Sequence, residues 1–279
     1  MCFISIYSYH LYLLVYWYLY HMKIKRIIVA NWKMNPRTTQ EARKNFLHVK
    51  KTAEKLTKVQ TVITPPFIFL ESFSKETSRR CALGAQDVFW KKEGSYTGEI
   101  SPAQLYDLNV THVILGHSER RRLGESDEII RDKIKAALEY RLNVILCIGE
   151  SERDTEGHYL AFLKNEIKKS LERIPKKQLA RLIVAYEPIW AVGAKAKFAD
   201  TPESLFETSI FIRKILSDTF SKKIAFQVPI LYGGSVTEHN AENFLKNGGV
   251  DGLLVGRASL DFKEFSKILK IAQNVECAT

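Results

Sequence analysis

The fold of this chain follows from one short segment, Ala185-Tyr186-Glu187-Pro188-Ile189-Trp190. The segment completes an apolar run, 182–186, whose length is typical of a buried strand. The acid Glu187 comes directly after that run, and Pro188 turns the chain at once. The pattern therefore predicts a buried strand that delivers one carboxylate to its C-terminal tip.

Apolar runs of this kind recur along the chain and alternate with longer, charged stretches of helical spacing, such as 127–140. The eight runs are 26–30, 60–64, 80–85, 112–115, 143–148, 182–186, 228–232 and 252–255. Eight strand–helix units predict an α/β fold with parallel strands, and eight such strands can close into a (β/α)8 barrel. The alternative is an open doubly wound sheet, although its usual glycine fingerprint after the first strand is absent.

Residues 22–279 are expected to form one catalytic domain, because no linker or low-complexity stretch divides them. Residues 1–21 form an apolar extension that contains no Asp, Glu, Lys or Arg and carries six of the twelve tyrosines. It lacks the basic start and the cleavage site of a secretory signal, and tyrosine suits a bilayer centre poorly. We expect translation to start at Met22; a membrane or interaction anchor and a disordered tail are the alternatives.

The composition and the net charge limit which binding partners and which cellular compartment are expected. The net charge is +11, but Lys and Arg are spread along amphipathic stretches and no basic run is interleaved with aromatic residues, so nucleic acid is not expected. The four cysteines, Cys2, Cys81, Cys147 and Cys277, form no CxxC pair. That spacing favours neither a metal site nor disulfides and fits a reducing cytoplasm. Membrane contact is expected only if residues 1–21 are translated.

In a parallel barrel, reactive side chains lie at the C-terminal ends of the strands. The residues that follow the predicted strands include a lysine, a histidine, two acids and several glycines. They are Asn31, Lys33, His117, Ser118, Glu119, Glu187, Gly233, Gly234, Ser235, Gly256 and Arg257. This combination suits proton transfer on an anionic substrate.

Four motifs in this chain resemble those of the triosephosphate isomerase family, in the family's order, and the resemblance covers residues 22–279. They read Ala30-Asn31-Trp32-Lys33-Met34-Asn35, Gly116-His117-Ser118-Glu119-Arg120-Arg121, Ala185-Tyr186-Glu187-Pro188-Ile189-Trp190-Ala191 and Tyr232-Gly233-Gly234-Ser235-Val236. The resemblance implies a TIM barrel that interconverts dihydroxyacetone phosphate and glyceraldehyde 3-phosphate through an enediolate, without a metal or an organic cofactor.

The resemblance also implies a role for each reacting residue. Glu187 is the base, and desolvation would raise its basicity. His117 is the electrophile; if a helix starts after it, the positive helix end would lower the pKa of the imidazole and keep it neutral. Lys33 is a fixed cation with Asn31 beside it, and two residues apart on a continuing strand they would face the same side. Glu119 is expected to hydrogen-bond within the site.

Supporting residues are implied in the same way. Ser118 is expected to contact Glu187, and Cys147 to pack near it. Glu150 and Arg120 are expected to form a structural ion pair.

Phosphate is expected to bind main-chain N–H groups. The candidates are Gly193, Ser235, Gly256 and Arg257.

Two features depart from the family pattern. The segment 191–202, expected to act as a lid, is longer than usual and lacks its second glycine, and Arg257 replaces a glycine, with its guanidinium expected in solvent.

The polar loop 86–101 resembles the family's dimerisation loop, with Thr97 at its tip, and implies a homodimer. Two other functions remain open from the residues. One is a different phosphate-binding barrel, and the other is a non-catalytic barrel that serves as a scaffold.

Overall fold

The computed structural model describes residues 26–154, 156–191 and 200–276. The expectations for residues 1–21, for Met22 and for Gly193 in the lid lie outside the described residues. Within the three described ranges, no helix is both long enough and apolar enough to cross a membrane.

Eight parallel strands form a closed barrel in sequence order. They are β1 (Arg26–Asn31), β2 (Val59–Thr64), β3 (Cys81–Ala85), β4 (His112–Leu115), β5 (Asn143–Ile148), β6 (Leu182–Tyr186), β7 (Ile230–Tyr232) and β8 (Gly252–Val255). Pairing of β1 with β8, from Ile27 opposite Gly252 to Ala30 opposite Val255, closes the ring. The predicted (β/α)8 barrel is therefore confirmed, and the open sheet is wrong.

Helices follow the strands and cover the outside of the barrel. The α-helices are α1 (Thr39–Ala53), α2 (Leu70–Phe73), α3 (Pro102–Asp107), α4 (Ser118–Arg122), α5 (Asp127–Glu139), α6 (His158–Ser170), α7 (Pro202–Thr219), α8 (Lys222–Gln227), α9 (Ala241–Asn247) and α10 (Phe262–Asn274). Short 3-10 helices span Phe67–Phe69, Lys176–Arg181, Ile189–Ala191 and Arg257–Ser259.

Side-chain caps fix where the helices begin. Thr201 accepts a hydrogen bond from Ser204 N at the start of α7, and Pro202 occupies the first turn. The Asp261 carboxylate accepts from Lys263 N and Glu264 N at the start of α10. Threonine and aspartate side chains satisfy free N–H groups of a first turn, and proline fits there because it has no N–H to satisfy.

The strands are buried on both faces, and alternate side chains enter two separate cores. The smaller core contains strand residues only and fills the inside of the barrel: Ile27, Val29, Val62, Ala82, Ile114, Ile145, Cys147, Ile183, Ala185, Leu231 and Leu254. The larger core joins the outer strand faces to the helices. Because side chains alternate along a strand, the residues two positions beyond Val29 and Ala185, which are Asn31 and Glu187, point into the barrel mouth.

Candidate active site

A cavity of about 510 Å³ opens at the C-terminal ends of the strands. Its lining includes the residues that follow β1, β4, β6, β7 and β8. Among them are Asn31, Lys33, His117, Glu119, Glu187, Ser235, Gly256 and Arg257. The closed barrel thus brings together side chains that lie more than two hundred residues apart in the sequence.

Glu187 lies at the bottom of this cavity and is only 4% exposed. Its backbone N–H donates to Ile148 O at 2.8 Å, which extends the pairing of β5 with β6 by one residue. Its Oε1 lies 3.3 Å from His117 Nε2. Its Oε2 is buried and has no hydrogen-bond partner among the described residues. A carboxylate oxygen in that condition is available to accept a proton.

Two glycines make room for this acid. A Cβ atom at Gly233 would lie 2.7 Å from Glu187 Cγ, and one at Gly149 would lie 1.9 Å from the Glu187 carbonyl oxygen. Both distances are shorter than non-bonded carbon contacts allow. Glycine at these two positions is therefore required for the backbone and the side chain of Glu187 to lie where they do.

His117 caps α4, and this cap determines which ring nitrogen carries the proton. Glu119 N donates to His117 Nδ1 at 3.2 Å. An N–H can only donate, so Nδ1 accepts and carries no hydrogen, which leaves the proton on Nε2. The imidazole is therefore neutral in this arrangement, and its Nε2 lies 3.3 Å from Glu187 Oε1 in the cavity. The helix expected after His117 is confirmed as α4.

Lys33 reaches the cavity by a different route from the one predicted. Strand β1 ends at Asn31, and Lys33 has a φ of +52°, so the two residues are not alternate members of one strand. The Asn31 side-chain oxygen instead accepts from Lys33 N at 3.1 Å and holds the turn. Both residues still line the cavity, but the strand alternation expected for them is wrong.

Glu119 holds the ammonium group of Lys33. Its Oε1 lies 2.6 Å from Lys33 Nζ. Burial raises the pKa of the Glu119 carboxyl, but the hydrogen bond and the charge of Lys33 lower it by more, and that pKa lies below its ordinary value. The carboxylate form is therefore favoured, and it fixes the position of the cation.

Gln86 supports the same corner and was missed in the sequence. Its Nε2 donates to Lys33 O at 2.8 Å and to Thr64 O at 2.9 Å. It follows β3 directly, as the other site residues follow their strands. That position was the signal that could have identified it.

Of the two expected neighbours of Glu187, Cys147 lies beside it and Ser118 does not bond to it. Cys147 is buried inside the barrel, and burial followed by the Glu187 charge raises the pKa of its thiol well above the usual value. It lies beside Glu187 as a neutral thiol. Ser118 is also buried, but among the described residues it forms no hydrogen bond with Glu187, which lies against His117 instead.

The expected ion pair between Arg120 and Glu150 is wrong. Glu150 accepts hydrogen bonds from Tyr186 Oη and Trp190 Nε1, both at 2.8 Å. Arg120 instead pairs with Asp87 and Glu125. The contacts of Glu150 with Tyr186 and Trp190, and of Arg120 with Asp87, could not be predicted from local sequence because their members belong to different barrel units.

The expected phosphate-binding residues form one side of the cavity. Ser235 donates through Oγ to Ala191 O at 3.0 Å. Gly256 precedes the 3-10 turn Arg257–Ser259. Arg257 is not among the residues with positive φ, so its side chain fits there without backbone strain, and it is exposed at the cavity rim. Gly193 lies outside the described residues.

In the part of the chain that the structure describes, no group of three or more His, Cys, Asp or Glu side chains is arranged to hold a metal ion.

Comparison with known proteins gives a consistent result. A family model described as triosephosphate isomerase matches residues 26–272. A protein of that name from Dictyoglomus thermophilum is 41% identical over 255 residues, covering 88% of this chain and 99% of that protein. One from Fusobacterium nucleatum is 42% identical over 251 residues, with 88% and 99% covered. One from Natranaerobius thermophilus is 37% identical over 253 residues, with 89% and 96% covered.

Proposed function

Because the chain belongs to the triosephosphate isomerase family, we propose that it interconverts dihydroxyacetone phosphate and D-glyceraldehyde 3-phosphate through an enediolate. The chain is thus an isomerase, and its reaction is a step of glycolysis. One observation supports the assignment of roles most strongly. The buried Glu187 carboxylate lies 3.3 Å from His117 Nε2, in the cavity that Lys33 also lines.

Glu187 acts as the base. Its unpartnered Oε2 takes a proton from carbon 1 of dihydroxyacetone phosphate and returns it to carbon 2 of the enediolate. The electron pair released at carbon 1 forms the carbon–carbon double bond, and the carbonyl oxygen receives the negative charge. Burial keeps water away from the carboxylate and from the enediolate.

His117 stabilises the oxygen on which that charge develops. Its Nε2–H is the free donor, because Nδ1 is occupied by Glu119 N. A neutral donor held in place before reaction needs no reorganisation when the charge appears. Moving its proton between the two enediolate oxygens completes the isomerisation without net change in the enzyme.

Lys33 supplies the positive charge for the enediolate and the phosphate group. The pair with Glu119 at 2.6 Å sets where that charge lies. Main-chain N–H groups near Ser235, Gly256 and Arg257 bind the phosphate oxygens on the opposite side of the cavity. The Arg257 guanidinium remains at the rim.

A coupled isomerase assay on the purified protein tests this function in both directions. Glu187→Asp withdraws the carboxylate by roughly 1 Å and should lower kcat by about 100-fold or more. Glu242→Asp, an exposed acid on α9, is the matched control and should leave kcat unchanged. Absence of activity in the wild-type protein would leave a scaffold or another phosphate-binding barrel as the better account.

A homodimer is also proposed, formed through the loop 86–101 with Thr97 at its tip. Residues 91–99 of this loop are exposed in the single chain, while Phe89 N, bonded to Ile100 O at 2.8 Å, closes its base. A loop with a fixed base and an exposed tip offers a surface for contact with another molecule. Thr97→Arg should shift the sedimenting species to monomer, and Asn243→Arg, on the exposed face of α9, should not. A fully active wild-type monomer would contradict the proposal.

Residues 22–279 are further proposed to form one cytoplasmic domain. One continuous core joins helices from both halves of the chain, including α1 and α10. The two cysteines in the described residues, Cys81 and Cys147, are free and buried. Limited proteolysis should therefore release no stable half-barrel, and a stable fragment from either half would contradict a single domain.

A further inference from the structure

A buried ion pair lies directly behind the two proposed reacting residues and has no part in the chemistry described so far. Arg121 lies on α4, and Glu166 lies on α6 and is 3% exposed. Arg121 Nε is 3.1 Å from Glu166 Oε1. Arg121 Nη1 also donates to Asp127 Oδ1, at the start of α5, at 2.7 Å.

On one side, this pair holds the backbone next to His117. Arg121 Nε donates to the carbonyl oxygen of Gly116 at 2.8 Å. Gly116 immediately precedes His117, so its peptide plane sets the direction in which the histidine leaves β4. Arg121 thus fixes the base of the imidazole side chain from behind.

On the other side, the pair holds the backbone next to Glu187. Glu166 Oε2 accepts from Gly149 N at 2.9 Å. Gly149 lies so close to Glu187 that an added Cβ would be 1.9 Å from the Glu187 carbonyl oxygen. The residues on either side of Gly149 bind the chain at the end of β6. Ile148 O accepts from Glu187 N, and Glu150 O accepts from Ile189 N.

We propose that the Arg121–Glu166 pair is a positioning unit that sets the distance between His117 Nε2 and the Glu187 carboxylate. The two side chains connect the backbone at Gly116, before His117, to the backbone at Gly149, beside Glu187. The 3.3 Å separation of the reacting atoms therefore depends on an interaction outside the cavity. This role rests on the proposed function, in which both residues act on the same substrate.

The ionisation of Glu166 makes the unit sensitive to pH. Burial raises the pKa of Glu166 to about 7, and the opposing effects of Arg121 and Gly149 N–H do not cancel it. The other ionisable groups that face it are Asp127 and Glu150, which raise the pKa further, and the neutral thiol of Cys147. Protonation near neutral pH removes the charge that holds Arg121.

A matched pair at the opposite end of the barrel provides the control. Arg213 Nη2 donates to Asp251 Oδ2 at 2.8 Å, Asp251 accepts from Ile230 N at 2.8 Å, and Arg213 Nη1 donates to Ala225 O at 2.9 Å. The chemistry is the same as in the Arg121–Glu166 pair, with a carboxylate on a backbone N–H and an arginine on a backbone carbonyl. It lies before β7 and β8, away from the cavity.

The test compares Glu166→Gln with Asp251→Asn in steady-state kinetics, corrected for the folded fraction. Glu166→Gln should lower kcat by about 10- to 100-fold with KM nearly unchanged, since misplacement affects the transition state more than binding. The pH profile of kcat should have a step near pH 7 in the wild-type protein, and Glu166→Gln should remove it. Asp251→Asn should change neither. Equal kcat values for the two variants would overturn the proposal.

A second readout does not depend on activity. The ¹⁵N signal of His117 Nε2 should shift in Glu166→Gln and stay in place in Asp251→Asn. If the wild-type protein failed to isomerise triose phosphates, the proposed function would fail while this signal still decided the positioning role. An unchanged His117 signal in Glu166→Gln would reject that role whatever the assay showed.

Discussion

Single residues in this site have one atom held by the protein and one atom left for the substrate. His117 Nδ1 accepts from Glu119 N, while Nε2 has no hydrogen bond within the described residues, and Lys33 Nζ is held by the Glu119 carboxylate. Glu187 has Oε1 against His117 and Oε2 unpartnered. Groups fixed in this way before reaction stabilise developing charge without first moving, which is the main source of electrostatic catalysis.

Gly233→Ala tests how tightly the base is positioned. The added Cβ would lie 2.7 Å from Glu187 Cγ and 3.3 Å from Oε1, so the carboxylate must move away. We expect kcat to fall by about 100-fold, with KM much less affected. Steady-state kinetics beside a thermal melt would measure this. A normal kcat in a folded variant would show that Glu187 tolerates displacement.

His112 predicts how stability depends on pH. It is buried at the start of β4, and burial lowers its pKa from 6.5 to about 4. The unfolded chain therefore binds this proton first, so the stabilising contribution is complete above pH 6.5 and is lost as the pH falls towards 4.

One pKa unit corresponds to about 1.4 kcal/mol, so protonation of His112 should lower the free energy of unfolding by roughly 3 kcal/mol between pH 7 and pH 4. Urea unfolding at pH 7 and pH 4 should show that His112→Phe loses about that much less than the wild-type protein does. Equal losses in the two proteins would contradict the assignment to His112.

Some residue-level features could not be read from the sequence. The positive φ of Lys33 is held by two hydrogen bonds: the Asn31 side-chain oxygen accepts from Lys33 N, and Gln86 Nε2, just after β3, donates to Lys33 O. The contact with Gln86 joins separate units of the barrel, whereas strand alternation is a local rule. The candidate residues themselves were identifiable because the ends of parallel strands must meet.

At the level of elements, the strand boundaries were largely predictable. The runs at 112–115, 143–148, 182–186 and 252–255 match β4, β5, β6 and β8. The run at 228–232 is shorter as β7, which begins at Ile230. Val228 N is bonded back to Ile224 O, so that residue completes the turn of α8 instead.

Asp261→Ala tests the capping of α10. The Asp261 carboxylate satisfies two N–H groups of the first turn and lies at the positive end of the helix. Its removal should cost about 1 to 2 kcal/mol of unfolding free energy. Asp218→Ala, on the exposed face of the last turn of α7, should change it by less than about 0.5 kcal/mol. Chemical denaturation of both variants measures the difference, and equal losses would contradict a capping role.

Across the whole molecule, a buried charged cluster joins neighbouring barrel units. Lys133 of α5 is 2% exposed and bonds both carboxylate oxygens of Asp87, at 2.7 and 2.8 Å, as well as Glu125. Arg120 of α4 contacts the same two acids. Asp87 is the second residue of the loop 86–101, so the cluster ties the proposed dimer loop to the helices beside the site.

Lys133→Met tests that connection. Removing one member leaves Asp87 and Glu125 buried with only Arg120 to neutralise them, which should cost about 3 to 5 kcal/mol. Lys135→Met, an exposed lysine on the same helix, is the control and should be nearly neutral. Unfolding in denaturant compares them. Equal stability of the two variants would mean that the cluster does not hold the units together.

One experiment tests both the isomerase assignment and the role of Glu187 as the base. Dihydroxyacetone phosphate is incubated with the enzyme in D₂O, and proton NMR follows the hydrogens on carbon 1 and on carbon 2 of the product. Wild-type protein should introduce solvent deuterium at both carbons, because Glu187 exchanges its proton with solvent while the enediolate exists. Glu187→Gln should introduce none above the uncatalysed rate. Deuterium incorporation at the wild-type rate by Glu187→Gln would show that another group is the base.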